Sequence, residues 1–264
     1  MMLGLIIVPI AQIYCDEGTN ALIADEIFYG HTVTITEVTD KFYYIQTEYQ
    51  YFGYVKKQDV LIITQKMEHT SIVTMNYCDV LTEPKYNSPV IFNLHKGSKI
   101  YIKSIIDQSW VKLCLHNNRC GYIPLECIKI KDKPLRDRIV DNALDLLNTH
   151  YKWGGKSVLG IDCSGLVHLS YLLEGILIYR DSNITQDIMK QFNLKQITQV
   201  ELKKGDLIYL PQHVMMYIGD NQIIHSSQTS KKVSIHSLNP NDETYLPYFK
   251  DSNFTYITCL DTDT

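Results

Sequence analysis

Two regimes of hydrophobic patterning divide this chain. Up to about residue 130, apolar and polar positions alternate in short runs separated by turn residues, the period-two mark of half-buried strands. Ile6-Ile7-Val8-Pro9-Ile10-Ala11-Gln12-Ile13 reads as a first strand. Residues 31–38 and 42–47 read as two more, closed by Gly53-Tyr54-Val55. The same order returns after Ser71: residues 97–102, then 110–113, then Gly121-Tyr122-Ile123-Pro124. The shared Gly-Tyr-(Val/Ile) ending points to an internal duplication. Beyond residue 131 the period changes. Pro134 suits a first helical turn, and Leu135, Ile139, Ala143 and Leu146 recur at helical spacing. Helices are predicted over 134–149, 163–175 and 185–192, and strands over 206–210, 213–218, 222–226, 233–236 and 255–260. The fold class is therefore α+β. The expected domains are β-rich over 1–66 and 67–131, and α+β over 132–264.

Composition narrows the class of function. A hydrophobic fraction of 45% with 20% charged residues describes an ordinary folded protein. A net charge of -4 gives no electrostatic reason to bind nucleic acid or an acidic membrane. The apolar residues 1–13 lack a basic leader and a small-x-small cleavage site. Pro9 and Gln12 interrupt the run, so no integral membrane segment is expected. The cysteines number seven, with no Cys-x-x-Cys pair, which favours a reduced, cytoplasmic protein, with export to the periplasm or wall as the alternative.

One cysteine stands apart. Cys163 follows a glycine-rich approach (Trp153-Gly154-Gly155) and opens the helical run Asp162-Cys163-Ser164-Gly165-Leu166-Val167. Asp162 can cap that helix. Cys163 then sits in the first turn, where the helix dipole and exposed N–H groups lower a thiol's pKa. By itself, a buried helical cysteine acting as a small hydrophobe is the better reading. The histidines change the balance. Folding residues 213–218 and 222–225 about Gly219 sets His213 opposite His225, each six positions away. An imidazole base held by a second polar group is the arrangement that activates a nucleophile.

These motifs, with Tyr151 ahead of them and Gly205-Asp206-Leu207 between them, resemble the NlpC/P60 family of papain-like cysteine peptidases. The tandem strand patterns in front resemble two small bacterial SH3-like β-barrels. The resemblance implies Cys163 as nucleophile, His213 as general base and then acid, and His225 as the polar residue orienting His213. It implies Tyr151 near the oxyanion. Trp153, Asp162 and Ser164 are expected beside the substrate. Arg180-Asp181-Ser182 is similar to a segment that holds the free amino terminus of a muropeptide, with Asp181 supplying charge and Ser182 a neutral hydrogen bond. Glu17 and Tyr51 are the candidate contributions of the first β-domain.

The implied activity is a γ-D-glutamyl-L-diamino acid endopeptidase. Its partner is a peptidoglycan stem peptide with free N-terminal L-alanine, and no cofactor or metal is expected. Two alternatives differ in kind. Cys163, His213 and His225 could instead ligate zinc, or the tandem β-domains could make the protein a non-catalytic module that holds wall peptides.

Overall fold

The computed structural model describes residues 2–18, 21–66 and 70–260. The chain divides into two compact units, Met1–Ile130 and Lys131–Thr264. The sheet-then-helix order expected from the patterning is the order observed. Of the boundaries expected at 66/67 and 131/132, the first adjoins residues 67–69, which lie outside the described residues.

The first unit contains two antiparallel sheets. Strands β1 (Met2–Ile6), β2 (Ile10–Tyr14), β3 (Ile23–Phe28), β4 (Thr32–Val38), β5 (Phe42–Gln46), β6 (Phe52–Lys56) and β7 (Val60–Ile63) form one. Strands β8 (Ser71–Ile72), β9 (Tyr77–Leu81), β10 (Val90–His95), β11 (Lys99–Ile106), β12 (Trp110–Cys114) and β13 (Cys120–Pro124) form the other. Their orders, β3-β2-β6-β5-β4-β1-β7 and β10-β9-β13-β12-β11-β8, are the same sequence of strands apart from the extra β7. Each has its own apolar core, Ile13, Ile27, Ile45 and Val55 in the first, Val80, Leu94, Val111 and Ile123 in the second.

The repeated Gly-Tyr-(Val/Ile) element has a physical cause. Gly53 on β6 faces Ile13 of the neighbouring β2, and Gly121 on β13 faces Val80 of β9, so that a Cβ at either glycine would collide with that side chain. Val55 and Ile123 then point into their cores.

One expectation needs correction. The strand read over residues 6–13 is two strands separated at Ile7-Val8-Pro9. Pro9 has no N–H for a ladder, and the break lets the chain change neighbours. β1 pairs with β4 and β7, whereas β2 pairs with β3 and β6.

In the second unit, α1 (Leu135–Leu144) precedes the short hairpin β14 (Lys156–Ser157) and β15 (Gly160–Ile161), followed by α2 (Cys163–Leu172) and α3 (Gln186–Gln191). The rest is β16 (Lys195–Ile197), β17 (Leu207–Leu210), β18 (His213–Gly219), β19 (Gln222–Ser227), β20 (Lys232–Ser237) and β21 (Thr255–Thr258), forming a six-stranded sheet of order β16-β21-β17-β18-β19-β20. Every residue of α2 is buried, and the helix lies against α1, β18 and β19. Ile208, Met215 and Ile223 pack with Phe249 in a core cluster of their own. Covering both faces explains why the central strands read as nearly continuous apolar runs. The helices are shorter than expected from spacing alone. α2 stops before Gly175, which adopts a positive φ of 74° and ends the helix as glycine commonly does. Among the described residues, no helix is long and apolar enough to cross a membrane.

Candidate active site

Packing of α2 on β18 brings the helix start to the first residue of that strand. Cys163 is the first residue of α2 and His213 the first of β18. The backbone N–H groups of Val214, next to His213, and of Ser164 both hydrogen-bond to the Cys163 sulfur.

The helix start is held by a dense polar cluster. Asp162 caps α2 by accepting from the Gly165 N–H at 2.6 Å, and its other oxygen accepts from the Gly154 N–H at 2.9 Å. The Arg180 guanidinium binds the same carboxylate through both terminal nitrogens, at 3.0 and 3.1 Å, and also donates to Ser164 Oγ at 2.8 Å. Arg180 is 1% exposed and the largest fully buried side chain among the described residues. Such a bidentate pair fixes geometry as well as compensating charge. Gly165 lets the helix approach the backbone closely, because a Cβ there would strike the Gly155 carbonyl oxygen. The Gly154-Gly155 and Ser164-Gly165 elements are thus two sides of one close contact.

On the sheet, three imidazoles form a diagonal. His213 Nε2 lies 2.7 Å from His225 Nδ1, and His225 Nε2 lies 3.0 Å from His236 Nδ1. The hairpin register differs from the expected one. Met216 pairs with Ile224 and Tyr217 with Ile223, with a bulge before Gly219–Gln222. Continued along the strands, that register sets His225 beside Met215 and leaves His213 two residues away, a diagonal neighbour on the same face. The turn is centred on Asp220-Asn221, both with positive φ of 51° and 57°, as a two-residue hairpin loop requires. On the other side His225 pairs with Ser234, so His236 is again diagonal to it. His236 was not recognised as a candidate from sequence. The available signal was parity: Ser234 and His236 share the sheet face that His225 occupies.

Burial governs the ionisation of this site. It pushes the His213 pKa down to about 4. His225, wholly buried, is pushed down to about 2, first by burial and then by its two imidazole neighbours. His236 is lowered too, again by burial. Cys163 departs from the sequence expectation. Burial and then the Asp162 carboxylate raise its pKa, and the N–H of Val214, Arg180 and the N–H of Ser164 offset this only in part. Cys163 rests as a neutral thiol and His213 as a neutral imidazole, and a thiol in that state must lose its proton to a base as it attacks.

Tyr151 is half-buried, and its hydroxyl accepts from Gln228 Nε2 at 3.3 Å. Burial raises its pKa, and the neighbouring Cys163 and Asp162 raise it further, so the phenol keeps a proton to donate. Trp153 is 63% exposed. Asp162 and Ser164, expected beside substrate, have their polar atoms engaged by Arg180 and the helix start. Asp181 and Ser182 are partly exposed and directly follow the buried Arg180. Glu17 is exposed in the turn after β2, and the Tyr51 hydroxyl donates to the Ala24 carbonyl at 3.4 Å; both belong to the first unit.

The geometry does not suit zinc at the histidine pair. Two nitrogens about 2.0–2.1 Å from a tetrahedral ion stand farther apart than nitrogens that share a proton, and these are 2.7 Å apart. Among the described residues no group of three His, Cys, Asp or Glu side chains is arranged to hold a metal ion.

A model of the NlpC/P60 family matches residues 148–248. Over 277 aligned positions the chain is 35% identical to dipeptidyl-peptidase 6 of Lysinibacillus sphaericus, an alignment covering 98% of each chain. It is 36% identical over 114 residues to a γ-D-glutamyl-L-lysine dipeptidyl-peptidase of Bacillus cereus, covering 40% of this chain and 33% of that one. The fold is similar to the crystal structure of an NlpC/P60 family protein from Bacillus cereus, with a TM-score of 0.78 at 19% identity, covering 96% of this chain and 98% of that one.

Proposed function

Since the chain belongs to the NlpC/P60 family of peptidoglycan peptidases, we propose that it is a cysteine endopeptidase cutting the γ-D-glutamyl–diamino acid bond of stem peptides that carry a free N-terminal L-alanine. The observation that carries this reading is the Cys163 thiol, on a helix start locked by Arg180 and Asp162, against the N–H of Val214, whose chain neighbour His213 is paired with His225. The name of the Bacillus cereus γ-D-glutamyl-L-lysine dipeptidyl-peptidase supports the choice of bond.

In this reading, His213 accepts the thiol proton as Cys163 Sγ attacks the γ-carbonyl carbon. The resulting oxyanion takes hydrogen bonds from the Cys163 N–H, at a helix start where no helical acceptor exists, and from the Tyr151 hydroxyl. Collapse breaks the C–N bond. The proton held by His213 passes to the departing amine of the diamino acid, leaving a thioester on Cys163. Water, activated by the same imidazole, then releases the L-Ala-γ-D-Glu acid and restores the thiol. His225 orients His213 and stabilises the transient imidazolium without contributing a full charge.

Asp181, immediately after the anchored Arg180, pairs with the ammonium of L-alanine, and Ser182 adds a neutral hydrogen bond. Trp153 supplies an exposed apolar wall. A free amine is found on peptides already released from glycan, so the proposed role is recycling in a reducing compartment. Mass spectrometry of digests of L-Ala-γ-D-Glu-diaminopimelate and its lysine counterpart tests this. Release of the dipeptide L-Ala-γ-D-Glu is expected, and cleavage at any other bond would overturn it.

A further inference from the structure

The imidazole diagonal continues one member beyond the pair needed for catalysis, and the extra member constrains where protons lie. Each N···N contact, His213–His225 at 2.7 Å and His225–His236 at 3.0 Å, needs one proton between its nitrogens. Burial keeps the rings uncharged near neutral pH. Three neutral imidazoles can satisfy both contacts in only two ways. Either all carry hydrogen on Nε2, and each ring donates toward His236, or all carry it on Nδ1, and each donates toward His213. Mixed assignments leave one contact with two protons or with none.

The two states are not equivalent for the chemistry. His213 Nε2 is occupied by His225, so Nδ1 is the only ring nitrogen left to serve as a base. Its lone pair is free only in the first state. The second state puts a proton there and disables the base while every heavy atom stays in place.

We propose that His236 is a positioning residue: by accepting a hydrogen bond from His225 Nε2–H at its Nδ1, it selects the tautomer of His225 and, through it, the tautomer of His213 that leaves the base's lone pair free. His225 is wholly buried, so without His236 its Nε2–H would lack an acceptor, a desolvation penalty with nothing to offset it. Moving the proton to Nδ1, toward His213, leaves only a bare lone pair at Nε2, which a dry site tolerates better than an orphaned N–H, and this tips the relay into the disabled state. The inference rests on the proposed role of His213 as the base.

The test uses the full-length protein with 15N-labelled histidine. Two-bond nitrogen–proton couplings identify the tautomer of each ring, without substrate. The wild type is expected to show Nε2–H at His213 and His225. His236→Leu should shift both toward Nδ1–H, and lower kcat at least about 10-fold with KM changed less than twofold. His236→Gln, whose amide oxygen can accept from His225, should restore both the tautomers and most of kcat. Its folding is checked by thermal melting, so that a misfolded leucine variant leaves the question decidable. Nδ1–H at His213 in the wild type would overturn the inference. So would unchanged tautomers and kcat in a folded leucine variant. Wild-type protein that shows the expected tautomers but does not cleave the peptide would instead defeat the functional reading alone.

Discussion

Arg180 holds both carboxylate oxygens of Asp162, at 3.0 and 3.1 Å, and neither residue is more than 7% exposed. The pair sits directly beneath the nucleophilic position, because Asp162 both precedes Cys163 and caps its helix. Removing one partner leaves an uncompensated buried charge. Arg180→Met is therefore expected to destabilise the second unit by about 3–5 kcal/mol. Arg180→Lys, which keeps the charge but loses the fork, should fall between it and the wild type. Urea unfolding monitored in parallel with peptidase activity checks the order.

The approach of α2 to the Gly155 carbonyl predicts an effect of a single methyl group. Gly165→Ala places a Cβ against that oxygen and beside Asp162 Oδ1. A loss of about 1–3 kcal/mol is expected for such overpacking, with a larger fall in kcat than the stability loss explains, since the displaced element carries Cys163. Steady-state kinetics of the folded fraction would detect it. Activity equal to wild type would mean that the backbone relaxes freely.

Stability should depend on pH through the buried histidines. With native pKa values near 4 for His213 and 2 for His225, against about 6.5 in the unfolded chain, the unfolded state binds more protons below that pH. Their contribution is complete above pH 6.5 and is lost as pH falls toward 4, at up to about 1.4 kcal/mol per pH unit for each ring. Thermal midpoints at pH 7.5 and 5.0 should show the loss, and His225→Gln should show a smaller one. An equal loss in that variant would contradict the assignment.

Much of this site was legible in the sequence, because its elements are local. The Asp162 cap, the glycines around it and the strands carrying His213 and His225 lie in short motifs whose residue types state their own geometry. What escaped was set by tertiary pairing. The hairpin register was misplaced by two residues because the turn is built on Asp220-Asn221 rather than Gly219, with a bulge beside it. His236 was missed because its role depends on a third strand pairing with β19. Arg180 was read only as part of the amine-holding segment, whereas its side chain is buried and bound to Asp162 at the helix start. The thiol's raised pKa was likewise invisible, since burial by the sheet outweighs the helix start.

Recognition of the substrate amine gives another prediction. If Asp181 pairs with the ammonium of L-alanine, acetylating that terminus should lower kcat/KM by an amount equivalent to roughly 2–5 kcal/mol. Asp181→Asn should cost the free peptide far more than the acetylated one. Equal turnover of both peptides by the wild type would remove Asp181 from substrate recognition.

The central claim is that Cys163 forms a covalent acyl-enzyme with the γ-D-glutamyl carbonyl. Rapid acid quenching during turnover of L-Ala-γ-D-Glu-diaminopimelate, followed by peptide-mapping mass spectrometry, measures it directly. The predicted result is an L-Ala-γ-D-Glu thioester on the peptide containing Cys163, with Cys163→Ala forming no adduct and releasing no diaminopimelate. Release of diaminopimelate by the alanine variant at the wild-type rate would contradict the account.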